Sequence, residues 1–176
     1  MVRIYLALYD EVRTNPDLGI TLFEKPPSMS EEVGWFGTLY RSILDGDAIS
    51  AVAAVDDLVV GVCTVRRKGP SHESRHFGGL GIFVARESRG RGIGRALMTH
   101  VLERCRGKFQ FVELSVFASN VRARDLYASL GFRTWGTLPK AILRNGKYTD
   151  SEHMVIGLEH PTGAGSPPSV SRVGRA

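Results

Sequence analysis

The chain has 176 residues, 43% hydrophobic and 23% charged, with a formal net charge of +5 at pH 7. That composition is ordinary for one soluble globular domain, and no apolar run approaches the roughly 18 residues that span a bilayer. The opening apolar stretch meets Asp10 and Glu11 at once, which is not a signal-peptide layout, so a cytoplasmic protein without membrane attachment is expected.

Cys63 and Cys105 both lie in apolar patterns and read as reduced, buried thiols. None of the five histidines pairs with a cysteine or a second histidine at metal-ligand spacing, so no metal is expected. The positive residues are scattered apart from Arg66-Arg67-Lys68 and the segment from Arg86 to Arg95. Both a solvated basic surface and a phosphate-binding one fit that distribution.

In chain order, residues 3–9 alternate apolar and polar side chains and predict a first strand. An irregular stretch follows as far as Pro26-Pro27. Ser28 with Glu31 three residues on is a capping-box signal. It opens a helix over 29–44 whose apolar residues Val33, Phe36, Tyr40, Ile43 and Leu44 share a face. Two apolar runs, 48–55 and 58–65, flank Asp56-Asp57 and predict an antiparallel hairpin. A strand near 76–84 precedes a helix that runs to about Arg106, with Gly107 as its C-terminal cap. Residues 109–117 read as a strand, and Asn120 caps a short helix ended by Gly131. A second hairpin turns at Asn145-Gly146. The domain is expected over 1–160, followed by a mobile Gly/Pro/Ser-rich tail over 161–176.

Between the 76–84 strand and its helix stands "RGRGIG", Arg89 to Gly94. Three glycines at a helix start cost backbone entropy. They also present successive N–H groups where the helix dipole is positive, which suits phosphate oxygens. Arg89, Arg91 and Arg95 add positive charge. The plainer reading is a tight strand-to-helix connection with solvated arginines. A Walker loop is excluded because Gly94 is followed by Arg95 and Ala96 rather than Lys and a hydroxyl residue. A dinucleotide fingerprint fails because neither Gly90 and Gly92 nor Gly92 and Gly94 have a third glycine at the required spacing.

"IFVARESRGRGIGRALMTHVLERC" followed by "ELSVFASNVRARDLYASLGF" resembles the GNAT family of N-acetyltransferases. Arg89, Gly92 and Gly94 match the family's Arg/Gln-x-x-Gly-x-Gly/Ala motif, and Asn120, Leu126-Tyr127 and Gly131-Phe132 match its second half. The match covers roughly residues 80–132, and the order of elements extends it to about 47–159. The resemblance implies an α/β fold with a mixed, mostly antiparallel sheet of six or seven strands and helices on both faces. It implies that the turn from Arg89 through Gly90, Arg91, Gly92, Ile93 and Gly94 to Arg95 cradles the coenzyme A pyrophosphate. The main chain of Ile82, Phe83 and Val84 would pair with the pantetheine arm, and Asn120 would contact it.

The resemblance further implies direct transfer of acetyl from acetyl-CoA to a primary amine, borne by a small molecule, a protein N-terminus or a lysine. Tyr127 would be the acid beside the coenzyme sulfur; its other reading is a packed core aromatic. Some relatives carry a glutamate base five residues before the motif asparagine, where this chain has Ser115. Others carry it where Gly78-Gly79 stand. Glu113 and His76 remain as candidate bases, and both also read as ordinary surface residues. A non-catalytic acyl-CoA sensor of the same fold is the competing class. A nucleic-acid partner is not expected, and the oligomeric state, a dimer included, is not legible.

Overall fold

The computed structural model describes residues 2–15, 18 and 25–158, and the side chains of 2–6 are left aside. The tail at 161–176 and most of the irregular stretch before Pro26 lie outside the described residues. Four helices and six strands follow in the order α1 (Val2–Thr14), α2 (Met29–Leu44), β1 (Ala48–Val55), β2 (Leu58–Arg67), β3 (Phe77–Val84), α3 (Ile93–Cys105), β4 (Phe111–Phe117), α4 (Val121–Ser129), β5 (Arg133–Arg144) and β6 (Lys147–Gly157).

The strand expected at 3–9 is a helix. Among its described side chains Leu8, Glu11 and Val12 are the buried ones, a spacing of three and four that fits a helix. A seven-residue window of alternation cannot separate the two periods. Farther on, Ser28 and Glu31 form the expected capping box: the Ser28 hydroxyl accepts from Glu31 N at 3.3 Å, and the Glu31 carboxylate accepts from Ser28 N at 2.7 Å. The apolar face anticipated for α2 is not the buried one. Val33, Tyr40 and Leu44 are 62%, 65% and 68% exposed, while Glu32 and Leu39 are buried. With apolar residues on most of its sides, α2 is oriented by tertiary packing rather than by its own pattern.

Both hairpins turn as the sequence implies. Asp56 and Asp57 have φ of 49° and 61°, and Asn145 and Gly146 have 51° and 76°, the left-handed pair that a two-residue turn between twisted strands requires. The sheet order is β1-β2-β3-β4-β6-β5. Every neighbouring pair is antiparallel except β3 and β4, which run parallel and are joined through α3. Leu97, Met98, Val101, Leu102 and Cys105 of α3 bury against one face of the sheet, with Cys63 and Val65 of β2 fully inside. Arg66, next along β2, therefore faces the other side, and its contacts with Ser42 and Trp35 place α2 there. The expected helices on both faces are present.

Candidate acetyl-transfer site

β3 and β4 pair only over Phe77–Gly79 and Phe111–Glu113. Beyond Gly79 and Glu113 they part. β3 continues to Val84 on the arm of β2, and β4 continues to Phe117 on the arm of β6. A V-shaped cleft opens between them.

Strand parity decides which main-chain groups face that cleft. Phe77 O accepts from Lys68 N, and Ala85 N donates to Val60 O, so the odd residues of β3 address β2. His76 O accepts from Gln110 N and Phe111 N, so the even residues address β4. Leu80, Ile82 and Val84 thus turn their N–H and C=O groups into the cleft, whereas those of Phe83 are directed at β2. The even positions are the ones with capacity for a ligand. Of these, the Val84 carbonyl already accepts from Arg89 Nε at 2.8 Å.

At the open end of the cleft lies the glycine turn. Gly90 and Gly92 have φ of 79° and 81°, and a Cβ on Gly92 would meet nothing within 4 Å, so the residue there is set by backbone conformation and by free space in front of it. Gly92 is the N-cap of α3, with no side-chain hydrogen bond and no acidic residue in the first turn. The N–H groups of Ile93, Gly94 and Arg95 are left for an anion. A Cβ on Gly94 would lie 3.5 Å from Leu126 Cδ2, so the glycine there lets α3 and α4 approach.

The arginines divide. The Arg89 guanidinium is turned away from the turn and grips both carboxylate oxygens of Glu11, tying α1 to this loop. Arg95 donates to Ser129 Oγ at 2.7 Å and tethers α3 to α4. Arg91 is exposed. Arg122, which the sequence pattern does not single out, has Nη2 2.9 Å from the Cβ position of Gly90 and brings a charge from α4 to the turn.

Asn120 caps α4, its side-chain oxygen accepting from Ala123 N at 3.2 Å, which leaves its NH₂ group as a donor. Tyr127 packs against the core with its ring centroid 6.2 Å from that of Phe132. Burial pushes its hydroxyl up to about 12, and the Cys63 thiol adds in the same direction. Burial likewise pushes Cys63 and Cys105 up to about 12, so neither is a nucleophile at neutral pH.

At the closed end Glu113 is the last residue of β4 paired to β3. It is buried rather than solvated at a strand edge: Lys68 Nζ lies 2.8 Å from Oε1, and His153 Nδ1 lies 3.4 Å from the same oxygen. Gly79 separates Glu113 from Arg66 in one row across the sheet. A Cβ on Gly79 would meet the Arg66 carbonyl at 3.9 Å and one on Gly81, two residues on, nothing within 4 Å, so no side chain stands over the floor between the acid and the arginine. His76 sits outside this group. It is exposed before the first residue of β3, its ring 6.3 Å from that of Phe111. Asp150 and Glu152 also have structural work, with Asp150 accepting from Lys140 N at 2.8 Å and Glu152 paired with Arg124 at 2.9 Å.

The model of the acetyltransferase (GNAT) family matches residues 14–132. The chain belongs to the GNAT acetyltransferase family. An L-amino acid N-acetyltransferase of Escherichia coli is 36% identical over 105 residues, covering 58% of this chain and 64% of that protein, just under two thirds of its length. Among solved structures, a ribosomal-protein-alanine N-acetyltransferase from Brucella melitensis is 28% identical with a TM-score of 0.76, covering 89% of this chain and 94% of that one. A phosphinothricin acetyltransferase from Sinorhizobium meliloti, solved with acetyl-CoA, shares the fold at 22% identity and a TM-score of 0.76, covering 98% and 92%. The first two are N-acetyltransferases and the third an acetyltransferase by name, and no comparison favours a non-catalytic sensor. Among the described residues of this GNAT-family chain, no helix is long and apolar enough to cross a membrane, and no three His, Cys, Asp or Glu side chains gather as a metal site.

Proposed function

We propose that the protein transfers the acetyl group of acetyl-CoA to the amine of a small, carboxylate-bearing acceptor of the amino-acid type. The observation that carries this reading is the parting of β3 from β4 directly beside a left-handed glycine turn. One end of the cleft has anion-binding N–H groups, and its length has unpaired main chain for an amide-rich arm. The cosubstrate supplies an activated acetyl thioester. Gly90 to Arg95 would hold its pyrophosphate through the main chain, with charge from Arg91 and Arg122 and not from Arg89. Leu80, Ile82 and the Val84 N–H would pair with the pantetheine, and the Asn120 NH₂ would reach it from α4. The Ile82 N–H is then the nearest donor for negative charge on the acetyl oxygen.

Tyr127 would stand at the sulfur. With its hydroxyl at about 12 and a free thiol near 8.5, full proton transfer is uphill by about 3.5 units, roughly 5 kcal/mol. Tyr127 therefore serves by donating a hydrogen bond to the developing thiolate. For the acceptor, Arg66 is the pointer. Of the partly buried arginines, Arg67, Arg89 and Arg124 are each paired with a carboxylate and Arg144 donates to the Leu18 carbonyl at 2.9 Å, whereas among the described residues Arg66 meets the Ser42 hydroxyl at 3.5 Å and the Trp35 ring at 5.9 Å. It shares a row with Glu113 across the glycine floor, which suits a molecule with an ammonium and a carboxylate.

The test is acetyl-CoA turnover against free L-amino acids, their amides, and peptides bearing a free N-terminus or a lysine. Faster turnover of free amino acids than of their amides is expected. Turnover of peptides alone would overturn the acceptor class. A CoA-induced rise in melting temperature with no transfer to any amine would return the protein to the sensor class.

A further inference from the structure

We infer that His153 takes the proton from the acceptor ammonium and that Glu113, anchored by Lys68, positions it; this rests on the acetyl-transfer reading above. The starting point is an empty position. Ser115 stands where some relatives carry a glutamate, and a serine hydroxyl is no base at neutral pH. In the register of β4 with β6, Ser115 lies directly opposite His153. Directly opposed side chains share a face, with Cβ atoms about 4.5–5.5 Å apart. The imidazole thus lies beside the space that the missing carboxylate would occupy, on the face of the sheet that carries Arg66 and Glu113.

The surroundings fit a base. His153 Nδ1 faces the Glu113 carboxylate at 3.4 Å, the long end of a hydrogen bond that a bound acceptor can tighten. A carboxylate only accepts, so Nδ1 carries the hydrogen and the Nε2 lone pair is left for a proton. Lys68 at 2.8 Å and the strand pairing of Glu113 hold that carboxylate in place. The Trp135 ring, 5.6 Å away on β5, covers one side of the imidazole, while 29% of the His153 side chain stays accessible. Among the described residues, the charged group in contact with it is Glu113, with Lys68 reached through that carboxylate. Glu152, next in the chain, is on the opposite face and is held by Arg124.

The chemistry balances. One proton passes from the acceptor ammonium to Nε2. The freed lone pair forms the N–C bond to the acetyl carbon as the C–S bond breaks and its electrons stay on sulfur. The nitrogen's second proton ends on the thiol, with Tyr127 steadying the charge meanwhile. Nε2 then releases its proton to water.

His153→Ala should lower kcat by about 10² or more while the KM for acetyl-CoA stays unchanged. His153→Asn, which keeps a planar polar side chain against Trp135, should do the same if the alanine variant folds poorly. Adding Ser115→Glu to His153→Ala should restore at least part of the lost kcat. Wild-type kcat in either folded His153 variant would overturn the inference and leave acetyl transfer standing. A wild-type protein that acetylates no amine would overturn both.

Discussion

The two ends of the β3–β4 cleft differ in what they are made of. At the α3 end the capacity to bind is main chain: N–H groups of a helix start and of a strand that has lost its neighbour. At the closed end it is side chain: Lys68, Glu113 and His153 are brought from three separate segments into one cluster. A ligand common to a whole family can be held by groups every residue possesses. An acceptor that differs between relatives has to be met by side chains, which substitution can change without disturbing the fold. In this chain the division extends to charge, since Arg89 beside the glycines is used for structure while Arg66, on the face that carries Glu113, has no acid partner among the described residues.

The sharpest way to break this comparison is at the main-chain end. Gly92→Val introduces no contact within 4 Å of its Cβ position, so the fold should survive a backbone penalty of about 1–2 kcal/mol from a β-branched residue at positive φ. The side chain nevertheless fills the space in front of the helix start. The CoA-induced stabilisation, roughly 2.7 kcal/mol at a hundredfold excess over Kd, should vanish from thermal unfolding curves. Unaltered CoA binding in the folded variant would mean that the glycines serve only the turn.

Tyr127→Phe probes the middle of the cleft. The ring packing with Phe132 is retained, so stability should barely change, while kcat should fall about 10²-fold with CoA affinity preserved. Full turnover in single-turnover experiments would make Tyr127 a core residue and nothing more.

The smallest effect separates the two uses of arginine. Glu11→Gln should lower stability by about 1–3 kcal/mol in urea unfolding, because it strips the partner from a partly buried guanidinium. CoA affinity should change little, and with no added salt dependence. A large gain in CoA affinity would mean that the released Arg89 swings onto the phosphates and that the division of charge is conditional.

Most of the fold was legible because it is written locally. Asp56-Asp57, Asn145-Gly146 and the Ser28–Glu31 box each fix their own backbone. The glycine turn, Asn120 and Tyr127 stand in linear motifs. What escaped depends on residues far apart in the chain. Arg89 looked like a phosphate ligand because its neighbours are visible in sequence and its partner Glu11, 78 residues away, is not. His153 and Lys68 meet Glu113 only through strand register, which the alternation of side chains leaves undetermined by steps of two. Helix α1 is hidden for another reason: its short apolar opening satisfies both periods, and the deciding pair, Glu11 and Val12, comes after the alternation ends.

The two thiols have a use outside the reaction. Cys63 and Cys105 are fully buried, and both are held as neutral sulfhydryls at neutral pH. Alkylating reagents consume only thiolate that solvent can reach, so labelling must wait until β2 and α3 come apart. The rate at which the native protein takes up such a label is then a clock for opening of its central layer. Because the clock sits beneath the cleft, a cosubstrate that clamps β3 to α3 should slow it, and binding could be timed without any turnover.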